Sequence, residues 1–295
     1  MIKAPAKINL FLEVTGKRPD GYHDLATLFA KISLADVLTL KRTKKPGVKL
    51  RVVNNAGLAR SKPADNLVHK AAAAFFETFK IAPAVEIKLV KNIPVGAGLG
   101  GGSSDAASAL KGLCRLYGVD ASENIEKLEA AALLLGSDVP FFLTGGTFAA
   151  GTGRGEILSA VKRKGRLPAI VLVYPGIPVY TGPVYRALKP VPSVEKTGNL
   201  KKFKTLIKTL KDGKPLKDWA PLLFNRLEEP VLPAQEAVRR AKEDLIKAGA
   251  AAVLMSGSGA SVFALTETRR SACKISKIVK KSGRKVFLAD FLLKS

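Results

Sequence analysis

The feature that most constrains this chain is a cluster of glycines directly before a segment with helical character. Residues 94–108 read PVGAGLGGGSSDAAS, and five of the seven residues from Gly96 to Gly102 are glycine. Ordering glycine costs more backbone entropy than ordering any other residue, so the cluster needs a reason beyond a flexible turn. A bare backbone can wrap an anion closely, and a helix N-terminus favours negative charge. The cluster therefore predicts a phosphate-binding loop.

Two specific phosphate-binding motifs fit this loop poorly. The P-loop needs a lysine directly after its last glycine, whereas the first lysine here is Lys111. The dinucleotide-binding spacing G-x-G-x-x-G is present from Gly96, but that motif also needs a strand ending in an acidic residue. Asp120 has the right offset and opens another helix instead. A general anion-binding helix N-terminus remains, with Ser103 and Ser104 as hydroxyl donors, Mg²⁺-side ligands or the helix N-cap.

The chain is strongly basic, and this charge suggests an anionic partner. Its 49 basic and 24 acidic residues give a net charge of +25. The lysines concentrate in helical segments such as 200–217 and 268–285, without the aromatic-interleaved basic strand of an RNA-binding module. We interpret most of them as a solvated coat that also attracts a multiply phosphorylated small molecule. We expect no nucleic-acid partner.

Nothing in the sequence indicates secretion or a membrane. No stretch approaches the ~18 apolar residues of a membrane span, and the N-terminus does not read as a signal peptide. Cys114 and Cys273 lack metal-ligand spacing and lie in helical, half-apolar segments. We expect them to be small core residues in a reducing cytoplasm, with no membrane partner.

The pattern of apolar residues predicts an α+β protein with two domains. KINLFLEV alternates, which places Ile8, Leu10, Leu12 and Val14 on one face of a first strand. The first half then reads as strands at 25–34, 36–40, 48–53 and 85–90, helices at 66–79, 103–117 and 122–135, and a loop, strand and hairpin over 136–158.

The second half has the order β–α–β–β–α–β, which is that of a ferredoxin-like domain with extra helices after its first strand. The predicted strands are 169–175, 251–255, 261–267 and 285–291, and the longest predicted helix runs through 234–249. The loop SGSGA joins the two middle strands. A polar stretch, SAVKRKGRLP, predicts the boundary between a domain at 1–158 and a domain at 159–295.

The glycine-serine loop resembles that of the GHMP kinases, which act on galactose, homoserine, mevalonate and phosphomevalonate. Further stretches narrow the resemblance to the branch whose acceptor is 4-diphosphocytidyl-2-C-methyl-D-erythritol, in the non-mevalonate isoprenoid pathway. They are PAKINLFLEVTGKRPDGYHDLATLF, DNLVHKAA, GSDVPFFLTGG and MSGSGASVF. Only the region near 190–250 matches no motif.

This resemblance implies an ATP- and Mg²⁺-dependent kinase that converts a hydroxyl of the cytidine-diphosphate substrate to the 2-phosphate. It implies a two-domain GHMP kinase fold with an N-terminal domain like domain 2 of ribosomal protein S5, which carries most of the nucleotide site. The C-terminal domain is expected to be ferredoxin-like, in agreement with the order of elements above.

By resemblance, Asp138 accepts the proton of the hydroxyl and Lys7 lies beside it. A lysine there keeps the carboxylate ionised and meets charge on the transferring phosphoryl group. Taken alone, Asp138 also fits a turn or cap residue, and Lys7 a surface charge. Asn9 follows Lys7 by two residues, so on a strand it faces the same way, and we assign it to substrate positioning.

The resemblance also assigns binding residues for the base and the nucleotide. Tyr22, His23, Thr181 and Tyr185 form the cytosine pocket, since rings can stack on a pyrimidine and an imidazole can read its edge. Gly257, Ser258 and Gly259 of the SGSGA loop complete the substrate site beside the phosphates. The implied ATP site comprises Asn66, Lys91, Pro94, Val95, Gly96, Ala97, Gly98, Leu99, Gly100, Gly101, Gly102, Ser103 and Ser104.

Four alternatives stay open at this point, two for single residues and two for the function of the chain. Asn66 also fits a helix cap, as does Asp65, and Lys91 also fits a surface lysine. Another GHMP kinase, for homoserine or mevalonate, shares the loop, although RPDGYH argues for a substrate that contains a base. A basic nucleic-acid-binding protein accounts for the charge, but it leaves the glycine loop and DVPFF unexplained.

Overall fold

The computed structural model describes residues 1–54, 63–190, 192–281 and 283–292, which divide into two units. Unit 1 comprises Met1–Ala6, Leu34–Val95 and Gly100–Gly145, and unit 2 comprises Lys7–Ser33, Gly96–Leu99 and Gly146–Ser295. The two units alternate along the sequence, because the first two strands and the glycine loop each contribute residues to both. The domain boundary expected near residue 158 stays a prediction.

The strands and helices follow one another along the whole chain. The first half contains β1 (Ile2–Lys17), β2 (His23–Arg42), β3 (Gly47–Val53), a 3-10 turn (Pro63–Asp65), α1 (Leu67–Phe79), β4 (Ala84–Val90), α2 (Gly101–Tyr117), α3 (Ile125–Leu135), α4 (Val139–Leu143), β5 (Phe148–Thr152) and β6 (Ile157–Val161). The second half contains β7 (Ala169–Tyr174), α5 (Thr181–Arg186), α6 (Ser193–Lys211), α7 (Leu216–Trp219), a 3-10 turn (Ala220–Leu222), β8 (Phe224–Asn225), α8 (Glu228–Ala234), α9 (Glu236–Lys247), β9 (Ala252–Met255), β10 (Val262–Thr266), α10 (Arg269–Val279) and β11 (Lys285–Asp290).

Unit 1 packs helices on a small mixed sheet. β3 runs parallel to β4, and β4 pairs antiparallel with the second part of β2, with Val37 opposite Val90. α1 packs against α2 and α3, and both α1 and α2 bury alanines, which lets two helices approach closely. Phe75 of α1 and Leu110 of α2 are fully buried in this core.

Unit 2 contains a second group of strands and a separate four-stranded sheet. β1 pairs with β8, the first part of β2 pairs antiparallel with β5, and β5 and β6 form a hairpin. The four-stranded sheet has the order β11-β7-β10-β9, and each of its pairs is antiparallel. α9 and α10 pack on it. This is the predicted ferredoxin-like arrangement.

One prediction about strands was wrong, and the burial of β1 goes beyond what the sequence pattern indicated. The segments 25–34 and 36–40 form one long strand, β2, and not two. β1 is buried on both faces, because Asn9, Phe11 and Glu13 are as inaccessible as the leucines between them. The second face is covered within unit 2, where the Phe11 ring lies 5.1 Å from that of Phe203 on α6. A one-sided alternation therefore underestimated how deeply this strand is buried.

Three predictions about helices also need correction. α2 begins at Gly101 with Gly100 as N-cap, so neither Ser103 nor Ser104 caps it. VPFFL forms the short helix α4, which the apolar run did not reveal. The longest helix of the second half is α6, whose 19 residues exceed the 12 of α9. By contrast Asn66 caps α1, since its side chain accepts a hydrogen bond from the Val68 N–H.

Candidate active site

The glycine loop is held by its carbonyl groups. Within unit 2, four consecutive carbonyl oxygens of the loop each accept a hydrogen bond. The donor and acceptor pairs are Val179 N to Gly96 O, Ser261 N to Ala97 O, Ser256 Oγ to Gly98 O and Lys7 N to Leu99 O, at 2.9 to 3.1 Å. The loop therefore has a defined conformation, which accounts for ordering so many glycines.

Gly98 shows why a side chain is excluded from this part of the loop. Its φ is +72°, in the left-handed region that favours glycine. A Cβ atom there would lie 2.1 Å from the Ser256 carbonyl oxygen and 2.7 Å from that of Gly259. Both contact atoms belong to backbone, which cannot move aside as a flexible side chain can. The close approach of the loop to the SGSGA segment thus requires glycine at this position.

The N–H groups of the loop have no such partners. Within the part of the chain that the structure describes, no acceptor is found for the N–H groups of Gly96–Gly102. Gly100 is the N-cap of α2, and Gly101 and Gly102 lie in its first turn. Helix geometry leaves the N–H groups of a first turn unbonded, and the helix dipole is positive there. Ser104 Oγ is also buried without a hydrogen-bond partner among the described atoms. Donors without acceptors at a helix N-terminus suit a phosphate group.

Lys7 lies inside unit 2 and is not a surface residue. Its side chain is buried, and its Nζ donates to Asn9 Oδ1 at 2.7 Å and lies 5.6 Å from the centre of the Phe29 ring. The Asn9 amide in turn donates to Thr27 Oγ1 at 2.8 Å, which fixes which way the amide faces. The predicted pairing of Lys7 and Asn9 on one face of β1 is thus present.

The SGSGA loop reaches the same lysine. A Cβ atom on Gly257 would lie 3.1 Å from Lys7 Nζ, so the ammonium group packs directly on this glycine. Asn225 of β8 orients the loop by donating to the carbonyl oxygens of Met255 and Gly257, both at 2.8 Å. The backbone of the loop and the buried ammonium group therefore lie in contact within unit 2.

The residues assigned to base recognition are brought together from distant parts of the sequence. The His23 and Tyr185 rings lie 5.0 Å apart between centroids, at an interplanar angle of 38°. Burial, and secondly the nearby charge of Lys17, lowers the pKa of His23 below its ordinary value, so its imidazole is neutral at pH 7. Thr181 Oγ1 and Ser258 Oγ lie 2.9 Å apart. The structure thereby joins Thr181 to the SGSGA loop.

Tyr22 is half exposed and pairs with a residue that sequence analysis did not single out. The guanidinium of Arg154, in the turn between β5 and β6, lies 4.7 Å from the centre of the Tyr22 ring. A cation over an aromatic face is held by the ring quadrupole and by contact area. Tyr22 therefore presents one ring face to Arg154.

Asp138 directly precedes α4 in unit 1. It occupies the N-cap position and is partly exposed, but its side chain makes no capping hydrogen bond. At the other end of α4, Lys111 of α2 donates from its Nζ to the Phe142 carbonyl at 2.8 Å. Burial, and next the charge of Arg115, lowers the pKa of Lys111. The alternative of Asp138 as a side-chain helix cap is thus not what the structure shows.

Lys91 is also buried, which excludes the surface lysine that its sequence context allowed. Its Nζ makes ion pairs with two buried carboxylates of unit 1, Asp36 on β2 and, at 2.7 Å, Asp105 on α2. Sequence analysis singled out neither carboxylate. Asp36 follows Ala35 within an alternating strand, and Asp105 lies among small residues in GGSSDAAS. The signal that could have found them is an acidic residue at a strand or helix position where a buried residue is expected.

Other residues of the site were missed for lack of any local signal. Thr27 contacts Asn9, which is 18 positions away, and Arg154 contacts Tyr22, which is 132 positions away. Asn225 contacts the carbonyl groups of Met255 and Gly257, which are 30 and 32 positions away. Asn225 lies in the region that matched no motif. The described residues contain no cluster of three or more metal-ligating side chains, and no helix among them is long and apolar enough to cross a bilayer.

A helix N-terminus with unbonded N–H groups, a buried ammonium group and a partly exposed carboxylate are kinds of group that phosphoryl-transfer enzymes use. Two family models match the chain: GHMP kinases N terminal domain over residues 66–146, and GHMP kinases C terminal over residues 203–285. The chain therefore belongs to the GHMP kinases, which use ATP as phosphoryl donor.

Similar proteins with known names include two kinases named for the same acceptor and one named for another. A protein of Geobacter sulfurreducens named 4-diphosphocytidyl-2-C-methyl-D-erythritol kinase is 37% identical, over 95% of this chain and 94% of its own. A crystal structure of 4-(cytidine 5'-diphospho)-2C-methyl-D-erythritol kinase is 34% identical with a TM-score of 0.78 and covers 98% of both chains. Homoserine kinase from Cytophaga hutchinsonii matches with a TM-score of 0.76 at 19% identity, over 99% of this chain and 96% of its own, which shows the fold alone.

Proposed function

We propose that this chain is a 4-diphosphocytidyl-2-C-methyl-D-erythritol kinase, which phosphorylates a hydroxyl of that substrate to the 2-phosphate. The names of its relatives support this acceptor. The observation that carries the proposal is the His23–Tyr185 pair. The acceptors homoserine and mevalonate contain no base, whereas two adjacent rings suit a pyrimidine.

The nucleotide site in this proposal is the glycine loop with its unbonded N–H groups. ATP phosphates lie against the backbone of Gly96–Gly102 at the N-terminus of α2, and Asn66 and Lys91 flank the site, with Pro94, Val95 and the serines completing it. The hydroxyls of Ser103 and Ser104 suit the hard oxygen preference of Mg²⁺, which neutralises charge on the phosphates. The buried, unpartnered Ser104 Oγ supports this assignment.

The chemical step in this proposal moves one phosphoryl group and one proton. The acceptor hydroxyl oxygen forms a bond to the γ-phosphorus, the bond from that phosphorus to the bridging oxygen of ADP breaks, and Asp138 receives the hydroxyl proton. Lys7 supplies positive charge to the transferring group, and Asn9 keeps its ammonium oriented. Little else is required, because phosphoryl transfer depends chiefly on positioning and charge neutralisation.

The acceptor site in this proposal combines the aromatic residues with the SGSGA loop. Tyr22, His23 and Tyr185 hold cytosine, and Thr181 with Gly257, Ser258 and Gly259 faces the phosphates of the substrate. The neutral imidazole of His23 can either donate or accept at the base edge. A cytoplasmic location is part of the same proposal, since both cysteines are free thiols.

A panel of acceptors tests the proposed function. ADP release is followed with Mg²⁺ and ATP in the presence of the cytidyl substrate, its uridine analogue, homoserine, mevalonate or no acceptor. We expect turnover of the cytidyl compound and a much lower kcat/KM for the uridine analogue, with a smaller difference in His23→Ala. Turnover of homoserine or mevalonate without the cytidyl compound rules the proposal out. Salt-sensitive binding of random DNA without kinase activity favours the nucleic-acid alternative.

A further inference from the structure

The buried ammonium of Lys91 joins the two ends of the glycine loop within unit 1. Lys91 directly follows β4 and precedes the loop, whereas Asp105 lies in the second turn of α2, after the loop. The ion pair between them closes the segment that contains the whole phosphate-binding stretch. Both side chains are more than nine-tenths buried.

Asp36 also contacts the residues that directly precede the loop. Besides its ion pair with Lys91, its carboxylate accepts hydrogen bonds from the N–H groups of Asn92 and Ile93, the two residues before Pro94. Because Asp36 is fully buried in β2, these contacts tie the entry of the loop to a strand that cannot shift easily.

The packing around Gly101 continues the same arrangement. A Cβ atom on Gly101 would lie 3.0 Å from Ile93 Cγ2 and 3.3 Å from Lys91 Nζ. The first residue of α2 is therefore seated directly on the residues that Asp36 and Asp105 hold in place. Any shift of Lys91 or Ile93 changes where the N-terminus of α2 lies.

The charges of the three side chains are compatible with a structural role. Burial alone lowers the pKa of Lys91, but Asp105 and Asp36 more than offset this and raise it, so the ammonium stays charged. Burial raises the pKa of Asp105, the charge of Lys91 opposes this rise and the charge of Asp36 adds to it. The net result is a pKa of about 8. The raised pKa of Asp105 belongs to the coupled group, in which two buried carboxylates lie around one ammonium.

We propose that Asp36, Lys91 and Asp105 form a clamp that positions the phosphate-binding loop, and that Lys91 acts on ATP through the loop and not by direct contact. The inference rests on the proposed function, because it assigns ATP phosphates to the loop. It predicts that weakening the clamp weakens the binding of the phosphate groups of the ligand and leaves the binding of its adenosine part unchanged.

Calorimetric titration with ATP and with inorganic tripolyphosphate tests the clamp. We expect Asp105→Ala to weaken both ligands by about tenfold or more, since small displacements of positioning groups have large effects. Asp105→Asn, which keeps an oxygen for Lys91, stays within about twofold of the wild type. Lys91→Met weakens both ligands in parallel, and Lys88→Met, at an exposed position of β4, serves as control.

Enzyme kinetics separates positioning from general loss of structure. With the clamp weakened, KM for ATP rises while kcat at saturating ATP changes little. Asp105→Ala keeps the Lys91–Asp36 pair, so it leaves no buried charge unpaired and remains interpretable where Lys91→Met does not fold. Loss of ATP binding with tripolyphosphate binding retained in Lys91→Met, or wild-type tripolyphosphate binding in Asp105→Ala, overturns the clamp. A wild type that binds neither ligand overturns the proposed function itself.

Discussion

The role of a buried charged residue at this site depends on the groups that surround it. Lys7 and Lys91 are both buried lysines, but the structure surrounds them differently. Lys91 makes ion pairs with two carboxylates, and the contacts of Lys7 include the Asn9 side chain and the backbone of Gly257.

The first prediction at this scale concerns Asp138 and Lys7. Asp138→Asn keeps the shape of the side chain but cannot accept the hydroxyl proton, so kcat should fall by ~10²–10⁴-fold. Lys7→Met should also lower kcat, while ATP affinity changes little in both variants. Single-turnover kinetics measures the losses, with circular dichroism as a control for folding.

The double variant decides whether the two residues act on one transition state. If they do, it should be scarcely slower than the slower single variant, because effects within one catalytic unit are strongly non-additive. A folded Asp138→Asn enzyme at near wild-type rate removes the base assignment. Additive losses show two residues that contribute independently.

The second prediction concerns the pH dependence of stability. Asp105 has a pKa of about 8 in the native state, against about 3.9 in the unfolded chain. Between these values the native state keeps a proton that the unfolded state has lost. The stabilisation is therefore complete below about pH 4 and is lost as pH rises through about 8, with a slope of at most about 1.4 kcal/mol per pH unit.

Asp105→Asn removes this titration, so its Tm relative to the wild type should rise from pH 6 to pH 8 and level off above. Thermal unfolding by circular dichroism at several pH values measures the difference. Asp120→Asn is the matched control, because Asp120 is exposed and its pKa is lowered by hydrogen bonds from Ser122. A constant difference across this range for Asp105→Asn contradicts the assigned pKa.

At the scale of elements, the glycine loop and α2 form the central feature of the site. The carbonyl groups of Gly96–Leu99 are bound within unit 2, and the N–H groups that precede and begin α2 have no acceptor among the described residues. Capping by Gly100 in place of a serine leaves the Ser103 and Ser104 hydroxyls available to a ligand. The start of the helix therefore has no side-chain cap, and its N–H groups are available to the phosphates in the proposed function.

A prediction at this scale compares two glycines at the start of α2. Gly101→Val should disturb the protein itself, since a side chain there meets Ile93 and Lys91. Gly102 is exposed and a Cβ atom would meet only Leu67 at 3.4 Å, so Gly102→Val should fold normally. If phosphates lie against this backbone, Gly102→Val should still weaken ATP binding by about tenfold or more.

Calorimetry and thermal unfolding together read out this comparison, with Gly118→Ala and its open surroundings as a control for loss of glycine at a left-handed helix end. If a folded Gly102→Val variant binds ATP with wild-type affinity, phosphates do not lie against this backbone and the loop has only a structural role.

At the scale of the whole molecule, the net charge of +25 is the most distinctive property. The lysines of α6 illustrate it, because Lys201, Lys204 and Lys208 are exposed while Phe203 and Leu206 of the same helix are buried. Both proposed substrates are polyanions. A positive field around the protein should therefore raise the rate at which they arrive.

The prediction at this scale is a salt-dependent association rate. Between about 20 and about 200 mM NaCl, kcat/KM should fall on the order of threefold or more, while kcat at saturation changes little. A variant with Lys201, Lys204 and Lys208 replaced by glutamate should show a smaller dependence. Equal salt sensitivity in kcat, or none in kcat/KM, contradicts electrostatic steering.

Properties that depend on neighbours along the chain could be predicted from the sequence by itself. The glycine loop before a helix, the Asn66 cap, the shared face of Lys7 and Asn9, and the ferredoxin-like order all follow from local patterns. Each is set by backbone preferences or by the two-residue and 3.6-residue periods of strands and helices.

Contacts between distant segments were decided only by the tertiary structure. The pairing of His23 with Tyr185, the two carboxylates around Lys91 and the orientation of the SGSGA loop by Asn225 join residues that no local pattern relates. The same holds for the second buried face of β1, since only packing against Phe203 of α6 shows that Phe11 is inaccessible. A side chain's burial and partners depend on what folding brings beside it, and the free energy of those contacts is absent from the local sequence.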